Sequence, residues 1–160
     1  MKINIYKIAY NLYLDSDLYI NKYTSELIDE YEYEKKITNK EDYTFVDKID
    51  YAQYLLICKK FYDTIKTKEY DKIFQRYLDD FKEYGSALHN FVIDYNLEKQ
   101  WDDFEDNELI VRAKKFCKKN NIEYYFDKEG LKEIDLDKIV EEFLKDKDRI
   151  AYYNKKYNLE

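Results

Sequence analysis

From Tyr70 to Tyr84, the apolar residues Tyr70, Ile73, Phe74, Tyr77, Leu78, Phe81 and Tyr84 recur at spacings of three and four, with Asp71, Lys72, Arg76, Asp79, Asp80 and Lys82 between them. That rhythm predicts a helix over 67–84, with Thr67 as its N-cap and Gly85 as the C-cap residue able to take a positive φ. A second helix is predicted over 47–66 through Tyr51, Leu55, Cys58, Tyr62 and Ile65. The short junction between them suggests an antiparallel pair. The pattern continues over 86–100 through Leu88, Phe91, Val92 and Tyr95. It then breaks at 102–107 and resumes through Leu109, Ile110, Ala113, Phe116 and Cys117 until Asn120 and Asn121 end it.

The remaining segments carry weaker rhythms. Ile3, Ile5 and Lys7 alternate as in a strand, while Ile3, Tyr6, Tyr10 and Tyr13 share a helical face, and the pattern favours helix. Residues 16–36 read as helix with Leu18, Leu27, Ile28 and Tyr31 facing inward, and 38–45 as a loop ending in a brief strand. The β-branched and aromatic run 122–126, separated by Gly130 from 131–134, leaves room for a small β-hairpin near 122–134. From Asp135 onward the helical pattern returns through Ile139, Val140, Phe143, Ile150 and Tyr153. The expected fold is mainly α: a single compact helical domain over residues 1–160, with about six helices.

Charge changes the picture more than hydrophobicity does. The segment Asp94–Glu108 carries acids at Asp94, Glu98, Asp102, Asp103, Glu105, Asp106 and Glu108 against one base, Lys99, in a chain whose net charge is -7. The acidity is therefore focused in one window, and the only Trp, Trp101, lies inside it. A focused negative surface repels nucleic acid and attracts a basic protein groove. Asp94, Glu98, Trp101, Asp102, Asp103, Glu105 and Asp106 are accordingly the candidate partner-binding residues, with Trp101 as the expected anchor. A plainer use of the same acids is to face the positive end of a helix starting near Asn107.

Composition excludes much else. The chain has no Pro, two Gly and 20 Tyr, a bias expected of an AT-rich genome and one that discounts the tyrosine excess as a functional sign. Even so, Tyr23, Tyr33, Tyr43, Tyr124, Tyr152, Tyr153 and Tyr157 fall outside the inner faces and are candidate contact residues. Isolated Gly85 and Gly130 cannot form a phosphate-cradling loop or a nucleophile elbow. His89 is the only histidine, so multi-histidine metal sites are excluded. Its spacing from Ser86, with Asp94 beyond, does not by itself make a catalytic triad. Cys58 and Cys117 sit in helical patterns and read as buried free thiols.

No apolar stretch approaches the roughly 20 residues that span a bilayer, and the first residues lack the continuous apolar run of a signal peptide. Cytoplasmic residence is the expectation. No cofactor, membrane or direct nucleic-acid partner is implied, because aromatics here are not coupled to a basic groove. The expected function is an acidic interaction module that binds and inhibits a basic, nucleic-acid-handling protein, in the manner of a nuclease inhibitor, immunity protein, antitoxin or phage anti-defence protein of a mobile element. The alternatives are a metal-assisted hydrolase using the acids of 94–108 and a self-assembling structural module.

Overall fold

The computed structural model describes residues 1–13, 17–131 and 136–159, which form eight helices and a small antiparallel sheet. The mainly α expectation is met. Their chain order is β1 (Ile3–Asn4), α1 (Ile5–Tyr10), β2 (Leu18–Asn21), β3 (Leu27–Asp29), α2 (Glu30–Lys35), β4 (Tyr43–Phe45), α3 (Tyr51–Ile65), α4 (Lys68–Phe81), α5 (Tyr84–Asp94), α6 (Glu98–Lys119), β5 (Tyr124–Tyr125), α7 (Leu136–Lys145) and α8 (Lys147–Lys156). The chain groups into two compact units, one comprising Met1–Asp47 with Lys114–Glu160, the other Lys48–Ala113. No helix among the described residues is long and apolar enough to cross a membrane.

The contiguous unit is built on α3, α4, α5 and the first part of α6. Helix α3 starts with a capping box in which the Asp50 side chain and the Gln53 side chain each bond the other's backbone N–H, and Thr67 caps α4 as its sequence predicts. Their apolar faces enclose Cys58, Phe61, Tyr62, Phe74, Ala87, Leu88, Phe91 and Val92. Phe91 is the hub, with the rings of Tyr70, Phe74, Tyr77 and Tyr95 all within 5.5 Å of its centroid. Helix α5 packs along α4 and also against α3.

Gly85 does not end α4. The left-handed residue there is Lys82, at φ 57°, and Gly85 is a buried residue inside α5. Its small size answers a different need, since a Cβ at that point would lie 3.3 Å from the Tyr54 ring.

The other unit holds the β3-β2-β4 sheet, with Tyr19 paired to Ile28 on one side and to Phe45 on the other, and a parallel β1-β5 pair. Its interior includes Ile5, Ile8, Leu12, Ile20, Val46, Phe116 and Cys117. The N-terminal residues satisfy both sequence rhythms in turn: Ile3 and Asn4 are strand, and the helix begins at Ile5, capped by the Asn4 side chain.

The helix expected over 16–36 is replaced by two strands and the short α2, Ser16 itself lying outside the described residues. Asn21 causes the change by accepting bonds from the N–H groups of Tyr23 and Thr24, a side-chain turn that competes with helix. The loop over 38–45 does end in a strand, β4. The β-prone run 122–126 carries strand β5, whose partner is β1; Glu129–Leu131 is a 3-10 turn, and residues 132–134 of the expected second limb lie outside the described set. The C-terminal helical stretch is two helices, divided at Asp146, whose side chain caps α8.

Candidate partner-binding surface

The acidic window does not break the helix. Asn96 takes a left-handed conformation, at φ 53°, that an Asn tolerates, and from Glu98 the chain runs without interruption to Lys119 as α6. The interruption read from sequence is a change of phase: the inward positions are Leu97, Trp101 and Phe104 in the first half but Leu109, Ala113 and Phe116 in the second. The five-residue step from Phe104 to Leu109 rotates the inner face while the backbone continues. The acids accordingly do not surround a helix start near Asn107, and the macrodipole explains only Glu98 in the first turn.

Within α6 the acids divide by direction. Glu98, Asp102 and Asp103 are exposed, with Lys99 paired to Asp103 at 2.7 Å. Glu105, Asp106 and Glu108 are half-buried, and Glu108 meets Lys60 of α3 at 3.1 Å. Glu105 acts electrostatically on the α3 side: its charge contributes to raising the pKa of both Tyr54 and Cys58, behind burial in each case. Asp94, the last residue of α5, accepts the Tyr77 hydroxyl at 2.6 Å. The exposed acids are therefore Asp94, Glu98, Asp102 and Asp103, Asp94 while bonded to Tyr77, whereas Glu105, Asp106 and Glu108 are half-buried.

Trp101 faces inward. Its ring stands edge-on to Phe61 at 5.2 Å and to Tyr54 at 6.5 Å. With Tyr54, Gly85, Leu88, His89 and Val92 it lines a hollow of about 20 Å³, room for a single water. Ser86 hydrogen-bonds Glu83, His89 is exposed, and Asp94 is turned to Tyr77, so the three residues spaced like a catalytic set serve separate local roles. Among the described residues, no group of three or more His, Cys, Asp or Glu is placed to hold a metal ion. Compared with known protein families, curated proteins and solved structures, the chain matches none.

Sequence reading missed a partly buried cluster of charges around Arg149. Arg149 of α8 places its two terminal nitrogens 2.6 Å from Asp29 and 3.0 Å from Glu32, with its guanidinium over the rings of Tyr31 and Phe143. A signal was present: Arg149 is one of only three Arg in a strongly Lys-biased chain, and Arg is the cation whose fork suits two carboxylates at once. Of the tyrosines set aside as contact residues, Tyr33 stacks on Tyr19 at 3.8 Å, Tyr152 meets Tyr31 edge-on, and Tyr23 remains 68% exposed.

Proposed function

We propose that this protein is an acidic interaction module that engages a basic partner protein through the outer side of α6 and thereby blocks a site used for nucleic acid. The observation supporting this reading is that Glu98, Asp102 and Asp103 project from a helix whose opposite side is fastened by Leu97, Trp101 and Phe104. Rigid carboxylates on a packed helix present negative charge in a fixed arrangement, as phosphates do, and can occupy a Lys/Arg groove without ordering a flexible loop. The acids also work against their helix, because Glu98, Asp102 and Asp106 form like-charge pairs four apart, each unfavourable by about 0.2–0.5 kcal/mol. A nuclease inhibitor, immunity protein, antitoxin or phage anti-defence protein would use such a surface.

The test is affinity capture from the native host at low and high salt, with wild type beside the Glu98→Lys, Asp102→Lys, Asp103→Lys variant. A stoichiometric basic partner, retained at low salt, lost at high salt and not captured by the variant, supports the reading. Equal capture by wild type and variant rejects the surface.

Self-assembly is the second reading, favoured by the exposure of Val140 and Leu144 on α7, 55% and 62%. Light scattering that shows a monomer at every concentration removes it.

A further inference from the structure

No residue of helix α8 is fully buried, although Ile150, Tyr152 and Tyr153 are half-buried, so apolar burial is only part of what fastens it. The rest is charge. At one end Arg149, its side chain 19% exposed, is held by Asp29 and Glu32 and has Asp146 3.4 Å from Nε. Seven residues further on, and hence on the same helical face, Lys156 pairs with Glu30. Between them Tyr152 lies edge-on to Tyr31 at 5.5 Å. Burial disfavours the Arg149 charge, yet Asp29, Glu32 and Asp146 outweigh it and raise the pKa of the guanidinium.

We propose that α8 is a charge-latched arm that leaves the β3–α2 face as a unit while the rest of the protein stays folded, with Arg149 as the latch. The physical basis is a difference in kind between attachments. Ion pairs weaken as salt screens them, the more exposed Lys156–Glu30 pair more than the Arg149–Asp29 pair, whereas apolar cores do not. An element joined mainly by the former opens at a lower free energy than the whole molecule. The guanidinium also covers the ring of Tyr31, which is 8% exposed in the latched state. Opening uncovers that ring together with Asp29, Glu30 and Glu32, so the latch governs access to an aromatic face bordered by carboxylates. The arm belongs to the unit that does not contain Asp102 and Asp103, and its behaviour stands independently of the proposed α6 surface.

The test is amide hydrogen exchange by mass spectrometry on the full chain at about 50 mM and about 500 mM NaCl, a range over which screening shortens from roughly 14 to 4 Å. Rates are normalised to the same chain unfolded in urea. The expected result is exchange over 147–156 about tenfold faster at high salt, with α3 and α5 unchanged. Arg149→Gln is expected to be fast at both salts, and Arg149→Lys, which keeps the charge without the fork, to fall between. Exchange in wild-type α8 that is indifferent to salt, or that accelerates together with α5, overturns the proposal, and this comparison needs no variant to fold.

Discussion

The indole of Trp101 meets the ring of Phe61 edge-on, with centroids 5.2 Å apart and planes at 82°. This contact binds α6 to α3 at the residue that composition alone marks as a binding anchor. Trp101→Ala is therefore expected to lower stability by about 3 kcal/mol, the lower end for a large aromatic lost from a packed site. Urea denaturation reads the loss directly. A change below about 1 kcal/mol, the size typical of a surface substitution or less, would return Trp101 to the role of a surface residue.

A second expectation concerns alkaline pH. The Tyr77 pKa is pushed up to about 12, first by its bond to Asp94 and then by burial, and that of Tyr84 to about 12 by burial, then by Asp63 and Cys58. Tyr54, Tyr62 and Tyr153 are also raised, by burial first. A tyrosine whose folded pKa lies above its unfolded value of 10 keeps its proton in the folded state after the unfolded chain has lost it. The contribution to stability is thus complete below pH 10 and is lost as pH rises through about 12. Urea midpoints should fall across that window, and tyrosinate absorbance should rise in more than one step. Tyr77→Phe should reduce the fall and remove one late-titrating group.

The left-handed Lys82 offers a third. A side chain at φ 57° carries a backbone cost of roughly 1–2 kcal/mol that glycine does not bear, partly offset by the entropy glycine adds to the unfolded chain. Lys82→Gly should raise the melting temperature, and Lys82→Ala should not. Equal effects of the two would mean that the Lys82 side chain, and not its backbone, decides the outcome.

These particulars show where the sequence was legible. Thr67 and the face from Tyr70 to Phe81 announced α4, because a cap and a single-phase apolar stripe are local. Two features hid the rest. With no Pro and two Gly, the usual turn markers are scarce, and left-handed positions fall instead on Ser25, Lys82, Asn96, Asn121 and Asn158. Asn121 ended α6 as read, but Ser25 and Asn96 gave no comparable notice. Helix α6 also changes its inner face midway, which makes one helix look like two. As for the acidic surface, sequence located the carboxylates but not their directions, and direction separates Asp102 from Glu108. The Arg149 cluster joins residues 120 apart in sequence, a separation that no local pattern reports.

The order in which the chain is made gives the two-unit arrangement a further meaning. Residues 48–113 are continuous and include α3, α4 and α5 whole, so that core can close while the ribosome is still adding residues. The other unit cannot, because Ile3 and Asn4 must wait for Tyr124 and Tyr125, and Asp29 for Arg149. During synthesis β1 precedes its partner β5 by more than a hundred residues, a period in which its edge is open to mispairing. Helix α8, made long after β3 and α2, is the element that brings a cation to their waiting acids. Each of those two ion pairs thus joins a residue already made to one that follows it by more than a hundred positions.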